Sequence, residues 1–445
     1  MPTDHAPARP RHRSRRVASL VTGLLAVALA LPMGAAADDP GEPTGPTTLG
    51  ATVTFHGRGY GHGVGLSQYG ARGRALAGQT SDEILAHYYA GTTLEPIPLT
   101  TPIRVRLLAA AKASTSAPLV IHGRRDRWRI DGVSTVFPKD ARLELRPTVL
   151  SGVAAWRIRV IAPDGTRLRD AAIKSFRVRG VTNSTVFEVH AKASTYDTYR
   201  GVLRIGLATT AATASVTNEL TLERYLRGVV PAEMPSTWPA EALAAQAVAA
   251  RSYAARRLRP GVSFYDVPDD SSSQVYRGVL GEKPTTTAAI DATAGLVLRS
   301  GTAIANTLFH SAGGGATEHN ENVYVSATGT KVASPVSYLR GVQDRRDDGT
   351  AFDDASPYAT WSTRTYTRAQ LSSWFGRDAR TNVGSLTALD LRDRGVSGRL
   401  ISVTLIGSLG TKRVSGDVFR AVFNLGRPAA DPSMRSTVVD LQPVP

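Results

Sequence analysis

From Pro102 to about Val216 the chain alternates apolar and polar positions with the period of a half-buried strand, as in "IRVRLL", "WRIRVI", "STVFEVH" and "GVLRIGL". The turn "APDGT" follows the second of these strands. Beyond residue 216 the pattern becomes helical in "NELTLERYLRGVVPAEMPSTWPAEALAAQAVAARSYAARRL", the most helical stretch of the protein. Upstream, "ATVTFHGRG" predicts a short strand and "TSDEILAHYYAGTTL" a capped helix. In that helix Thr80 or Ser81 serves as cap, Asp82 and Glu83 suit the positive end, Ile84, Leu85, Tyr88 and Tyr89 form the apolar side, and Gly91 stops it. The tail from Trp361 adds a helix, "TRAQLSSWFG", and strands such as "RLISVTLIG". No repeat stands out. These elements predict an α+β architecture with a β-rich section inserted or appended.

The first residues change the picture by fixing a compartment. Arg9, Arg11, Arg13, Arg15 and Arg16 precede an apolar run from Val17 to Leu31, and Ala35, Ala36 and Ala37 fit a small-residue cleavage site, so residues 1–37 read as a cleavable export signal. The apolar run is short for a spanning helix, which favours cleavage over anchoring. The Arg15-Arg16 pair permits twin-arginine export, but Val17-Ala18 after it matches that signal poorly. Residues 38–50, rich in Pro, Gly and Thr, read as a flexible leader. Loss of the signal lowers the formal charge from +16 to +12. A basic exported chain meets anionic surfaces such as wall polymers, and nucleic acid is not an expected partner. The arginine excess also has a plain compositional explanation. There is no cysteine, which excludes disulfides, thiolate nucleophiles and thiolate metal sites.

Candidate chemistry centres on Glu233 in "VVPAEMPSTWPAEALAAQ". Pro231 and Pro235 flank it and predict a stiff non-helical turn before a helix, with Trp238 near enough to lower the polarity and raise its pKa. Taken alone, such a carboxylate is more often an exposed or loop-bracing group. Glu241 follows Pro239 in the first turn of the next helix and reads as structural. Leu243, Ala247, Ala250, Ala254 and Leu258 form one stripe, with Arg251 at its edge in need of an anionic or carbonyl partner. In "SQVYRG" and "HSAGGGATEH", Gln274, Tyr276, Ser311 and Thr317 offer groups suited to a sugar, although a strand and an ordinary glycine turn are equally good descriptions. His310, Glu318 and His319 lack HExxH spacing and a neighbouring third histidine, so no metal site is expected. "GRGYGHGVG" has neither the Gly-Lys-Ser/Thr of a phosphate loop nor the βαβ context of a dinucleotide loop.

Taken together, "LTLERYLRGVVPAEMPSTWPAEALAAQAVAARSYA", "SSSQVYRG", "FHSAGGGATEHNENVY" and "GYGHGVGLSQYGARGRALAG" resemble the SpoIID/LytB family of bacterial cell-wall proteins over roughly residues 200–440 and 53–95. The resemblance implies a lytic transglycosylase acting on peptide-stripped peptidoglycan glycan strands, with the glutamate of the Glu-Met-Pro motif, here Glu233, as catalytic acid/base and no cofactor. An N-acetylmuramoyl-L-alanine amidase is an implied partner. The expected glycan contacts are His62, Gln68 and Tyr69 from the opening motif, with Gln246, Arg251, Gln274, Tyr276, Ser311, Gly313, Gly314 and Thr317. For the opening motif a buried structural turn is the competing description. Two departures stand out: the Gly-His-Gly-Val-Gly segment opens the chain instead of closing it, and Ala244 replaces a frequent lysine. The layout expected is a permuted segment at 51–95 folded onto the catalytic domain, a β-rich segment at 96–200 and a SpoIID catalytic domain at 201–440. A wall-binding modifier that stimulates an amidase without cutting glycan is the alternative function.

Overall fold

The computed structural model describes residues 45–207 and 213–443, which fall in one compact unit. The expected signal, and the leader up to residue 44, lie outside the described residues. Strands and helices are mixed, with strands the more numerous.

The period-two alternation builds two sheets. One runs in spatial order Val267–Pro268, Pro102–Lys112, Thr213–Thr221, Val202–Leu207, Phe176–Gly180, Trp128–Ile130 and Val136–Phe137. It is antiparallel except where Val267–Pro268 lies parallel to Pro102–Lys112. The other runs Arg167–Ile173, Val153–Ile161, Arg142–Leu150, Leu119–Arg124, Val186–Val189 and Thr198–Tyr199, antiparallel throughout. Their inward residues share a core that includes Ile103, Val105, Leu143, Trp156, Phe187 and Leu203. Trp128 meets Phe187 edge-on across it, with ring centroids 6.4 Å apart.

That core runs past residue 200 without a break. It takes in Leu222, Tyr225, Leu226 and Val229 of helix α3 (Leu222–Glu233) and Ala247, Ala250 and Ala254 of helix α4 (Ala240–Ala255), numbering α1 (Gln68–Leu76) and α2 (Ser81–Tyr88) before them. Instead of presenting one stripe, α4 is buried on nearly all sides, from Ala242 through Ser252. Its alanines let neighbouring elements approach from every direction, so polarity along its sequence does not mark an exposed face.

Residues 45–95 serve two further cores. Leu49, Val53 and Phe55 pack with Leu371, Phe375, Phe419 and Phe423. Val64, Leu66, Ile84, Leu85 and Tyr88 pack with Ala245, Val248 and Ala249 of α4. The strand His56–Gly57 lies between Trp361–Ser362 and Val439–Asp440, which joins the opening segment to the C-terminal end of the chain. The expected flexible leader needs correction over its described part. Thr47–Thr48 pairs with the strand Leu386–Asp390, the Leu49 N–H donates to the Thr387 carbonyl at 2.9 Å, and the Leu49 side chain is buried. Burial of one leucine and pairing of an otherwise open sheet edge outweigh the Pro/Gly composition there. Helix α2 forms as expected, with Thr80 and Glu83 making a reciprocal capping box.

Gly65 marks how tightly the opening segment is inserted. Its φ is +71°, and a Cβ there would lie 2.1 Å from the Leu308 carbonyl oxygen. Gly65→Ala combines left-handed backbone strain with a backbone clash and is expected to destabilise the protein by about 2 kcal/mol or more. Urea denaturation checks this; a loss below about 0.5 kcal/mol, the size of a neutral surface change, contradicts it.

Candidate active site

Glu233 is the last residue of α3, not part of a non-helical turn, and the expectation drawn from its flanking prolines is corrected on this point. Pro231 fits inside the final turn because its fixed φ is compatible with a helix and only one backbone donor is lost. Pro235 acts as expected: it drives Met234 to φ −131°, ψ 135°, so the helix stops at the glutamate. A carboxylate there sits at the negative end of the helix dipole, which disfavours its charged form.

Two sequence-distant segments close on this helix end. Gln68, at the start of α1, donates its Nε2 to the Glu233 carbonyl at 3.1 Å and to Gln246 Oε1 at 3.3 Å. It thereby satisfies a terminal-turn carbonyl that has no partner within the helix. The loop "SQVYRG" lies along α3, where the Arg277 N–H donates to the Gly228 carbonyl at 3.0 Å. Gly228 is required by close approach, since a Cβ would come 2.7 Å from the Tyr276 ring. From this loop the Val275 N–H donates to Glu233 Oε1 at 2.8 Å. Glu233 is partly exposed. Desolvation raises its pKa above the ordinary carboxylate value, against the opposing pull of the Val275 N–H and the Arg277 charge.

The fourth motif meets the first. Strand Phe309–His310 runs parallel to Leu66–Ser67, the Tyr69 N–H donates to the Ser311 carbonyl at 2.9 Å, and Gly313 N–H donates to Ser67 Oγ at 3.2 Å. Tyr69 and Trp238 pack edge to face, centroids 4.7 Å apart, with the Arg72 guanidinium 5.7 Å from the indole centroid. Trp238 therefore has Tyr69 and Arg72 as neighbours on the approach to the helix end.

The expected glycan contacts divide on this geometry. Gln68, Gln246 and Tyr69 gather near the end of α3, but Gln68 and Gln246 are buried and bonded to each other, which corrects both as glycan contacts and leaves Tyr69 with accessible surface. His62 is held elsewhere: its Nδ1 accepts from Val64 N–H at 3.0 Å and its Nε2 donates to the Phe309 carbonyl at 3.1 Å. Desolvation, aided by Arg399, pushes its pKa down to about 4, so it is a neutral histidine of fixed tautomer. It lines a cavity of about 10 Å³ with Asn322, Arg399 and Asp417, room for roughly one water. This geometry supports the structural description of the glycine-rich turn.

Arg251 finds the anionic and carbonyl partners expected of it, but as a glycan contact it needs correction. It is fully buried, with Nε and Nη2 on the two oxygens of Glu223 at 2.8 and 2.9 Å and further bonds to the Ile290 and Leu296 carbonyls. Its guanidinium ties α4 to α3 through Glu223 and to the Ile290 and Leu296 backbone through its remaining N–H groups. Gln274 and Tyr276 are also interior groups: Gln274 accepts from Tyr225 Oη and donates to the Ala250 carbonyl, and Tyr276 Oη donates to Asn218. Thr317 Oγ1 accepts from Val342 N–H and is buried. Gly314 and Gly315 donate their N–H groups to Asp353, which shapes the triple-glycine turn. To Glu233 these motifs bring one backbone donor, Val275 N–H, and one side-chain donor, Gln68 Nε2; the other buried polar groups described are spent on internal partners.

His310, Glu318 and His319 have separate engagements. Glu318 accepts from Asn322, Val396 N–H and the N–H and hydroxyl of Ser397, while His319 Nδ1 accepts from Gly341 N–H at 2.8 Å. Val275 N–H, Arg277, Ser67 and Asp353 were not anticipated individually. A backbone donor leaves no mark in composition, and Ser67 is identifiable only as the cap whose hydroxyl accepts from Gly70 N–H.

Residues 210–299 match the family model of the stage II sporulation protein, SpoIID, so the chain carries a SpoIID family domain there and is homologous over part of its length to SpoIID and to the amidase enhancer LytB. The Bacillus subtilis (strain 168) protein named amidase enhancer is 31% identical over 191 residues, 39% of this chain and 25% of that relative. An uncharacterized protein of Brachyspira hyodysenteriae is 39% identical over 133 residues, 29% of this chain and 34% of that one. Stage II sporulation protein D of B. subtilis is 53% identical over 45 residues, 10% of this chain and 13% of the relative. The chain thus spans about a third or less of the length of these relatives.

Two measurements test the site. Arg251→Met leaves Glu223 without its buried partner and is expected to cost about 3–5 kcal/mol in urea denaturation; a loss under about 1 kcal/mol contradicts its part as an internal tie. The raised Glu233 pKa makes the folded state bind its proton more tightly than the unfolded chain does. That contribution to stability is fully present below the unfolded value of about 4.3 and is lost as pH rises through the folded value. Glu233→Gln is therefore expected to gain in melting temperature relative to the wild type as pH rises from the acid range to neutrality. A difference that shrinks over that range contradicts desolvation of the carboxyl.

Proposed function

We propose that this chain is an exported, wall-associated peptidoglycan lytic transglycosylase that cleaves the MurNAc–GlcNAc bond of peptide-stripped glycan strands and leaves 1,6-anhydro-MurNAc ends. The observation that carries the reading is the single carboxyl of Glu233. It is held through one oxygen by Val275 N–H of the "SQVYRG" loop and raised in pKa by desolvation, while the backbone carbonyl of the same residue accepts from Gln68 of the glycine-rich motif. The fourth motif, "HSAGGGATEH", supports the glycine-rich one from behind.

The chemistry needs one such group. Protonated Glu233 donates to the glycosidic oxygen as its bond to the anomeric carbon breaks. The resulting carboxylate then takes the proton of the muramoyl 6-hydroxyl, whose oxygen closes on the same carbon. Because the nucleophile belongs to the sugar, no second carboxylate is required, in contrast to the pair used in glycoside hydrolysis. A raised pKa keeps the acid form populated at higher pH. Tyr69 and Trp238 supply aromatic surface beside the helix end, suited to the apolar face of a sugar ring.

The similarity to the protein named amidase enhancer favours a second reading, in which the same surface binds wall glycan and stimulates an N-acetylmuramoyl-L-alanine amidase. Mass spectrometry of products from purified glycan strands, with and without amidase pretreatment, separates the two. The transglycosylase reading expects anhydro-ended products from the wild type and at least about a thousandfold less from Glu233→Gln, with glycan pull-down retained. Absence of anhydro products from the wild type, together with amidase stimulation that survives Glu233→Gln, establishes the second reading.

A further inference from the structure

The six-stranded sheet carries a cluster far in sequence from the residues around Glu233. On the antiparallel pair Leu119–Arg124 and Val186–Val189, His122 and Glu188 are directly opposed. His190 lies two residues beyond Glu188 and so shares its face. Its N–H donates to the Val120 carbonyl at 3.1 Å, which carries the pairing one residue past the strand end. Strand register therefore places all three side chains together on the outer face, opposite to buried Ile121, Phe187 and Val189.

Their contacts cannot all be satisfied by protons. His190 Nε2 is 2.8 Å from Glu188 Oε1 and 2.7 Å from His122 Nδ1. A ring nitrogen has either one N–H or one lone pair in its plane. If Nε2 directs its proton at the carboxylate, His122 receives at best a bent share of it. If Nε2 instead accepts from His122, its lone pair faces an anionic oxygen. A cation at the common point accepts all three lone pairs at once.

We propose that His122 Nδ1, Glu188 Oε1 and His190 Nε2 form a zinc-class metal site on the β-rich part of the protein. The three ligand atoms lie within 4.8 Å of one another. Bonds of about 2.0–2.1 Å at tetrahedral angles separate ligand atoms by about 3.3 Å, so the imidazoles need to part only slightly. His190 is exposed and the other two partly so, which leaves their side chains free to make that adjustment. Two imidazoles and one carboxylate suit zinc and its neighbours, and are poor ligands for calcium or magnesium, which select oxygen.

The surroundings fit. Arg124 Nε donates to Glu188 Oε2 at 2.7 Å, which orients the carboxylate and leaves Oε1 for the ion. Arg142, across the strand pair from His122, is engaged with Glu144 at 3.0 Å. Three protein ligands leave a fourth position for water or an anionic ligand.

Equilibrium dialysis and calorimetry with zinc chloride on the chelator-treated mature chain test the site. The wild type is expected to take up one tight equivalent and to gain melting temperature with zinc. His190→Ala and Glu188→Gln should each weaken uptake by about tenfold or more, and His122→Ala likewise. His190 is exposed, so its variant is expected to keep the wild-type circular dichroism and melt in the absence of zinc. Glu233→Gln is expected to bind zinc as the wild type does, so this result is independent of the glycan chemistry. Zinc uptake and melting shift indistinguishable between wild type and the His122→Ala/His190→Ala double variant would overturn the assignment.

Discussion

The end of α3 is the constraint on which the rest of the structure depends. A helix that stops at Glu233 leaves carbonyls without partners and turns a carboxyl toward the surface at the negative end of its dipole. Gln68 meets one of those carbonyls, and Val275 N–H meets one carboxyl oxygen. Both bonds come from segments distant in sequence, so the helix end is completed only when the opening segment and the "SQVYRG" loop are both in place. One oxygen of Glu233 is fixed by this arrangement, and desolvation favours the protonated form.

The buried polar network around it serves that placement. Arg251 and Glu223 lock α4 to α3, Gln274 ties the loop to Tyr225 and to the α4 backbone, and Tyr276 lies on Gly228 with its hydroxyl on Asn218. Each of these groups was a reasonable glycan ligand by residue type. Each is instead consumed internally, because a polar group taken out of water must find a partner. The residues left with accessible surface beside Glu233 are fewer: Tyr69, Trp238, Arg277 and the carboxyl itself.

The N-terminal position of the glycine-rich motif has a simple physical basis. His56–Gly57 pairs directly with Val439–Asp440, so the opening segment occupies a place beside the chain's other end. Strand Leu66–Ser67 enters the core next to Phe309–His310 irrespective of which end of the chain delivers it. Packing responds to proximity in space and not to order along the chain.

The sequence by itself determined the strands of residues 102–216, the capped helix at Thr80 and the strongly helical character of the stretch beyond residue 216. Those features rest on period, capping and local composition, which act over a few residues. Tertiary structure alone decided that Pro231 sits within a helix, that Thr47–Thr48 and Leu49 are ordered against the strand Leu386–Asp390, and that Arg251 is an internal tie. It also decided that His122 meets Glu188 and His190, since register between strands more than sixty residues apart sets that contact. The physical reason is common to all of these: local propensity fixes which way a chain turns, but which polar groups are spent and which remain available depends on what packs against them.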